Sequence, residues 1–124
     1  MEKVILDTNI LIEILKGEKR TIAKVESMER ELCISSITAM ELYYGALDKA
    51  EVRRLEKFVS LFTVIYPDET LSRKAMELVK RYAKSHSLDI PDSIIAATAL
   101  TRNCELFTYN RKDFRYIEEL KLVE

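Results

Sequence analysis

The sequence has few of the residues that interrupt a chain or cross-link it. Among its 124 residues there are two glycines, two prolines and two cysteines. Because glycine and proline mark turns and loops, their scarcity predicts regular secondary structure with short connections. The two cysteines, Cys33 and Cys104, are too few for a disulfide framework, and we expect them to be buried thiols.

Residues that would indicate a zinc site or a membrane span are scarce as well. His86 is the one histidine, and no Cys/His spacing accompanies it, so a zinc site is not expected. No apolar run approaches the roughly 20 residues that a membrane span needs, and no signal peptide is recognisable. We therefore expect a cytoplasmic protein.

The sequence also lacks an excess of positive charge. Twenty Lys and Arg residues and 21 Asp and Glu residues give a formal net charge of -1 at pH 7, whereas nucleic-acid-binding domains usually have a basic surface. Any nucleic-acid partner would have to be held by a local basic patch or through metal ions. The hydrophobic fraction of 48% is typical of a globular protein, and the length fits one domain over residues 1–124.

Apolar strand-like segments alternate with amphipathic helical segments along the chain. We predict strands at residues 4–6, 32–35, 62–66 and 106–108, and a short fifth strand at residues 120–123. Helices are predicted between them, and the one after the second strand extends to Leu47. Gly45 inside that helix would mark the close approach of another element. This alternation predicts an α/β fold with a parallel sheet and helices on both faces.

Four acidic residues lie where a predicted strand leads into a helix or turn. Asp7 follows the first strand directly, and Glu41 lies in the helix after the second. Asp92 lies in the first turn of an apolar helix, and Asp113 lies just past the fourth strand. Ligands of open α/β sheets bind outside the carboxyl ends of the strands, so all four acids would face one crevice. Each acid alone is explained equally well as a helix cap, and residues 38–41 match a capping box.

A cluster of carboxylates predicts a divalent cation. Two carboxylates ~4 Å apart repel by about 4 kcal/mol at an effective dielectric constant of 20, so several in one crevice require a cation or added protons. Oxygen ligands without His or Cys suit Mg²⁺ or Mn²⁺. Such ions activate water and stabilise the charge that develops in phosphodiester hydrolysis, and they would allow an acidic site to hold a polyanion.

Four segments of the chain resemble the PIN-domain ribonucleases, and especially the VapC-type toxins of toxin–antitoxin pairs. They are residues 6–9 (LDTN), 35–42 (SSITAMEL), 91–99 (PDSIIAATA) and 106–114 (LFTYNRKDF). The resemblance implies a three-layer α/β/α fold whose central parallel sheet has the strand order 3-2-1-4-5. It also implies a Mg²⁺- or Mn²⁺-dependent endoribonuclease, acting on tRNA or rRNA. The implied partners are a second copy of the chain, in a homodimer, and an antitoxin protein.

The resemblance assigns catalytic and metal-binding roles by motif position. Asp7, Glu41 and Asp92 are the first three acids of the implied site. Family members place the fourth either where Asn110 stands or where Asp113 stands. Because only Asp113 is acidic, we choose Asp113 and give Asn110 a supporting role.

Further residues would support the site or contact the substrate. Thr8 and Asn9 would orient the first acid or a water molecule at the site. Arg111, Lys112 and Arg115 follow the fourth strand and would contact RNA phosphates. A solvated surface explains these three basic residues equally well.

Two other functions remain compatible with parts of the pattern. A receiver-type phosphoacceptor domain has this size, an α/β architecture and an Asp–Mg²⁺ site. It usually has an acidic pair after the first strand, whereas this first strand leads into Asp-Thr-Asn. A catalytically inactive PIN module would keep the fold for binding, but the full set of acids argues against it. We therefore predict a metal-dependent endoribonuclease toxin.

Overall fold

The computed structural model describes residues 2–124, in which strands and helices alternate. The strands are β1 (Lys3–Leu6), β2 (Glu31–Ser35), β3 (Thr63–Ile65) and β4 (Glu105–Phe107). The helices are α1 (Thr8–Leu15), α2 (Lys19–Ser27), α3 (Ser36–Tyr44), α4 (Lys49–Val59), α5 (Glu69–His86) and α6 (Ile90–Thr101). A 3-10 turn covers Arg111–Asp113. The predicted alternation of strand and helix is confirmed.

The four strands form one parallel sheet in the order β3-β2-β1-β4. β1 lies in the middle, where Val4 pairs with Leu32 of β2 on one side and with Glu105 of β4 on the other. Because all pairs are parallel, the carboxyl ends of the strands meet at one edge of the sheet. The residues that follow β1 and β4 are therefore neighbours in space.

The predicted fifth strand is reduced to a single parallel bridge between Leu106 and Leu122. The amide of Leu106 donates to the carbonyl of Lys121 at 2.9 Å, and the amide of Val123 donates to the carbonyl of Leu106 at 2.9 Å. β4 offers only three residues, and Glu119 turns the chain in the left-handed region (φ 72°) just before the bridge. The segment thus lies beside β4 as the order 3-2-1-4-5 requires, but its predicted length was too great.

Apolar side chains cover both faces of the sheet. Val4 and Leu6 of β1 belong to a core cluster with residues of α1, α3 and α4. Ile5, which points to the opposite face, belongs to a second cluster with residues of α5 and α6. Ala96 and Ala97 are fully buried there, because their small side chains let α6 pack closely on the sheet. These two clusters confirm the three-layer α/β/α fold.

Helix α3 ends earlier than predicted. Gly45 is its C-terminal cap with φ -81°, and the amide of Gly45 donates to the carbonyl of Glu41 at 3.1 Å. A Cβ at Gly45 would lie 3.6 Å from the carbonyl oxygen of Glu41 and 3.7 Å from that of Leu42, which are ordinary contacts within the helix itself. The expected close approach of another element at Gly45 is therefore wrong.

Both cysteines are free: Cys33 is buried in the sheet and Cys104 is half-buried. Burial raises the pKa of the Cys33 thiol to about 11. Within residues 2–124, no helix combines the length and the apolar character needed to cross a bilayer.

Candidate active site

Asp7 stands at the carboxyl end of β1 and is held there by three donors. Its Oδ1 accepts the amide of Thr8 at 2.8 Å, which makes it the N-cap of α1. Its Oδ2 accepts the hydroxyl of Thr108 at 2.7 Å and the side-chain amide of Asn9 at 3.2 Å. Burial raises the pKa of Asp7, the hydrogen bonds from Thr108 and Thr8 oppose that rise, and the charge of Glu41 adds to it. Asp7 is thus a cap whose second oxygen is held by Asn9 of α1 and by Thr108, the residue that follows β4.

Glu41 is joined to the same junction through the hydroxyl of Thr8, which donates to its Oε1 at 2.6 Å. The predicted capping box of residues 38–41 is wrong, because Ser35 is the N-cap of α3 and accepts the amide of Ile37 at 3.1 Å. Thr38 is instead fully buried, and its hydroxyl lies 3.0 Å from that of Thr8. Thr8 has a single hydroxyl proton. When that proton is donated to Glu41, the hydroxyl of Thr38 donates to the hydroxyl oxygen of Thr8.

Asp92 lies in the first turn of α6, where Asp89 is the N-cap and accepts the amide of Asp92 at 2.9 Å. The pKa of Asp92 is raised to about 7. Burial is the largest cause, followed by the negative charges of Asp89, Asp7, Asp113 and Glu41. The negative charges of the other three predicted acids thus all raise the pKa of the Asp92 carboxyl. The structure brings the four carboxylates to one side of the molecule, at the carboxyl edge of the sheet.

Asn110 and Asp113 lie at the two ends of the turn that follows β4. The amide of Asn110 donates to the hydroxyl of Thr108 at 3.0 Å, and its side chain makes no capping hydrogen bond. The amide of Asp113 donates to the carbonyl of Asn110 at 3.0 Å. Asp113 is half-buried, and the charge of its carboxylate raises the pKa of Asp92. Both positions considered for the fourth acid are therefore connected to the other acids, Asn110 through Thr108 and Asp113 through its charge on Asp92.

Thr108 is the residue of this network that sequence reasoning missed. It is 3% exposed, and besides donating to Asp7 its hydroxyl accepts from Asn9 at 3.3 Å and from the amide of Asn110. A sequence signal existed, because Thr108 follows β4 just as Asp7 follows β1. Thr38 was placed in a capping box instead, so its buried hydroxyl was missed too.

Of the predicted RNA-contacting residues, Arg111 and Lys112 lie on the 3-10 turn after β4 and Arg115 lies just beyond it. One of them has a structural partner: Nη1 of Arg111 donates to the carbonyl of Val123 at 2.6 Å and anchors the C-terminal segment to the turn. Lys112 and Arg115 are exposed. Their contact with RNA stays a prediction.

The acids have the donor chemistry of a site for a hard cation, because every candidate ligand is a carboxylate oxygen. Within residues 2–124, no three His, Cys, Asp or Glu side chains have the spacing to bind one ion together. Mg²⁺ commonly keeps several waters and binds through one or two carboxylates. An ion in the crevice would therefore contact some of the acids directly and others through water.

Comparisons with known proteins agree on one family. Residues 4–120 match the family model of the PIN domain. Ribonuclease VapC1 of Methanocaldococcus jannaschii is 33% identical to this chain over 97% of the chain and 85% of its own length. The tRNA(fMet)-specific endonuclease VapC of Shigella flexneri is 29% identical over 98% of the chain and 96% of its own length. A solved toxin–antitoxin complex from Klebsiella pneumoniae has a similar chain, with a TM-score of 0.81, 32% identity and coverage of 94% of both chains.

Proposed function

Because this chain belongs to the PIN-domain family, we propose that it is an endoribonuclease and the toxin of a type II toxin–antitoxin pair. The observation that carries the proposal is a pair of hydrogen bonds made by Thr8. Its hydroxyl donates to Glu41 and its amide donates to Asp7, so Thr8 links the two acids. Asp7 caps α1, Glu41 lies in α3, and the negative charges of both raise the pKa of the Asp92 carboxyl. The names of the relatives support ribonuclease activity, and the toxin–antitoxin complex supports an antitoxin partner.

We further propose that the site works with Mg²⁺ or Mn²⁺, which supplies Lewis-acid stabilisation of the reacting phosphodiester when bound. The acids that would hold the ion are Asp7, Glu41, Asp92 and Asp113. Thr108 and Asn9 fix the orientation of the Asp7 carboxylate, and Thr8 fixes that of Glu41. The chain thereby presents carboxylates whose mutual repulsion favours a bound cation.

The partners follow from the same proposal. The substrate is RNA, with tRNA and rRNA as the expected classes, and both occur in the cytoplasm. Residues 1–124 would act as one domain, because both apolar clusters pack on one sheet. We also propose a homodimer, and the exposed apolar side chains of Met76 and Ile90 between α5 and α6 support such a contact.

The decisive experiment replaces Asp7 by Asn and measures cleavage of tRNA and rRNA in Mg²⁺. Asn keeps the shape and a capping oxygen for α1, so the fold is retained. We expect the rate to fall by more than about 100-fold, beyond the roughly 10- to 100-fold typical of residues that only support a metal ligand. Cleavage by Asp7→Asn at the parent rate would refute the proposal.

Asp48→Asn is the matched control for this experiment. Asp48 is the N-cap of α4, and its Oδ1 accepts the amide of Glu51 at 2.8 Å. It therefore undergoes the same chemical change at the start of a helix whose cap is not among the charges that raise the pKa of Asp92. This variant should cleave RNA at the parent rate.

A further inference from the structure

A cluster of three aromatic rings lies where the C-terminal end of α5 meets the segment after the 3-10 turn. The rings of His86 and Tyr116 are stacked, with centroids 4.2 Å apart and an interplanar angle of 9°. Tyr82 packs edge-on against both, at 5.7 Å from His86 and 5.1 Å from Tyr116. Tyr82 is buried, Tyr116 is half-buried and His86 is exposed. The stack therefore ends in a ring that is open to solvent.

Polar contacts hold this cluster in place. The hydroxyl of Ser85 is hydrogen bonded to Nδ1 of His86 at 2.8 Å, and the amide of Glu118 donates to the hydroxyl of Tyr82 at 3.4 Å. Arg81 pairs with Glu118 at 3.2 Å, and its guanidinium lies 5.2 Å from the ring centre of Tyr82. The rings are thus fixed before any ligand arrives, which lowers the entropy cost of stacking another ring on them.

The stack borders the crevice of acids. His86 lies three residues before Asp89, the N-cap of α6, and Tyr116 lies three residues after Asp113. Burial raises the pKa of Tyr116, and the negative charges of Asp92, Asp113 and Asp89 add to that rise. The Tyr116 ring therefore shares the electrostatic environment of the proposed site.

We propose that the exposed ring of His86, backed by Tyr116, is a stacking platform for an unpaired RNA base next to the cleaved phosphodiester bond. This inference rests on the proposed function, which makes RNA the substrate. Aromatic side chains of this kind stack on bases of single-stranded RNA, and every base has a face that can stack. A base is uncharged, so the nearby carboxylates do not repel it as they would repel a phosphate. The platform thus explains how an acidic crevice holds RNA beside the site.

A single tryptophan can report directly on the stacking. The sequence contains no tryptophan, so His86→Trp places one indole on the platform. The protein also carries Asp7→Asn to suppress cleavage. A fluorescein-labelled single-stranded oligoribonucleotide should bind to it in Mg²⁺. The same oligoribonucleotide without the label should quench the fluorescence of the indole. Leu61→Trp in the same background is the control, because Leu61 is exposed and precedes β3, at the amino edge of the parallel sheet. Its indole should not be quenched.

A second measurement separates stacking from a structural role. His86→Ala should weaken binding of the oligoribonucleotide about 5- to 150-fold, the change that corresponds to about 1–3 kcal/mol for one base on one aromatic ring. His86→Phe should keep parent-like affinity, because it keeps a ring. With Asp7 intact, His86→Ala should raise KM and leave kcat nearly unchanged, since the platform holds substrate and transition state alike.

The outcomes separate this inference from the function on which it rests. If RNA binds without quenching the indole of His86→Trp, or His86→Ala binds it as the parent does, the stacking platform is refuted and the nuclease proposal stands. If the parent neither binds nor cleaves RNA, both fail. If His86→Ala lowers kcat and melting temperature but not affinity, the stack is a structural clamp, and the inference is refuted.

Discussion

In the proposed site, Asp7 would serve both the fold and the chemistry with the same carboxylate. Of the acids described, it is the one that is buried, at 5% exposure, and it caps α1 with one oxygen. The other oxygen depends on Thr108, whose hydroxyl has no other carboxylate to donate to. Hydrogen bonds must replace water around a buried charge, and the bond from Thr108 is the one that most opposes the rise in the pKa of Asp7 caused by burial.

Thr108→Val tests this dependence, because valine keeps the shape and removes the hydroxyl. We expect a loss of about 1–3 kcal/mol in the free energy of unfolding, the usual effect of leaving buried polar groups without a partner. The pKa of Asp7 should rise further, and RNA cleavage should fall with it. Urea denaturation and a cleavage assay measure both effects. Thr108→Ser keeps the hydroxyl and should behave as the parent, so equal behaviour of the Val and Ser variants would contradict the assigned role.

Asp92→Asn should stabilise the metal-free protein in a pH-dependent way. The Asp92 carboxyl ionises at about 7 in the folded chain and near 3.8 when unfolded, because burial and neighbouring acids disfavour its charge. Between these values the folded state binds more protons, so the contribution of Asp92 to stability falls as the pH rises through this window. The Asp92→Asn variant has no carboxyl to ionise at this position, so it does not lose stability as the pH rises through this window. In EDTA, the gain in melting temperature should be largest above pH ~7 and should shrink toward pH ~4.

Thermal unfolding from pH ~4 to ~8.5 in EDTA measures this gain. Asp48→Asn is again the control, since the Asp48 carboxyl caps α4 and is not among the charges that raise the pKa of Asp92. It should show no comparable trend. A gain for Asp92→Asn that is constant across the range would mean that the Asp92 carboxyl is not held in its neutral form by its surroundings.

The sequence led to the four proposed acids and to Thr8 as a supporting residue, but not to the bond from Thr8 to Glu41 or to the hydroxyl of Thr108. Asp7 could be recognised from its place directly after an apolar run, which is a local pattern. The bond from Thr8 to Glu41 spans 33 residues, and the bond from Thr108 to Asp7 spans 101. Such contacts depend on how strands pack side by side. Local spacing contains no information about them.

Among the secondary-structure elements, type was easier to predict than extent. Periodicity identified every strand and helix of the sheet layers, whereas the capping box considered at residues 38–41 would have placed the cap of α3 three residues too late. A cap needs an extended backbone, and Ser35 has one (φ -72°, ψ 150°) because it also ends β2. Thr38 already lies inside the helix. The pairing of β2 with its neighbours therefore decides where α3 begins.

The two glycines allow a test of helix ends, because they end α1 and α3 in different ways. Gly17 follows α1 with φ 78°, and a Cβ there would touch nothing within 4 Å. Gly17→Ala should therefore destabilise the fold by about 1–2 kcal/mol, from backbone strain alone. Gly45 has φ -81° and ordinary contacts for a Cβ. Gly45→Ala should stabilise the fold by about 0.4–1 kcal/mol by restricting the unfolded chain.

Urea denaturation of both variants measures these two changes, and each variant is the control for the other. The same chemical change is made at two helix ends that differ in backbone conformation. If the free energy of unfolding changed with the same sign in both variants, backbone conformation would not decide the effect.

For the whole molecule, topology decides where the charge lies. The formal net charge is only -1, yet acids from four distant segments meet at one edge because every strand of the sheet runs in the same direction. A nearly neutral chain thereby acquires a locally negative crevice. Such a site opposes stability and favours cations, which is the usual conflict between function and stability.

Mn²⁺ should therefore stabilise the folded protein as a whole. A ligand that binds only the folded state at 100 times its Kd adds about 2.7 kcal/mol, which for a domain of this size corresponds to a rise in melting temperature of roughly 5–15 °C. Thermal unfolding in EDTA and in increasing Mn²⁺ measures this rise. Each single change at the acids should reduce it: Asp7→Asn, Glu41→Gln, Asp92→Asn and Asp113→Asn.

The same titration decides which residue fills the fourth position of the site. If Asp113 is the ligand, Asp113→Asn should reduce the Mn²⁺-dependent rise more than Asn110→Ala does, because the carboxylate contributes charge as well as an oxygen atom. The reverse order would give the position to Asn110. Asp48→Asn should show the full rise of the parent. If all the acid variants also show the full rise, Mn²⁺ binds elsewhere and the crevice is not a metal site.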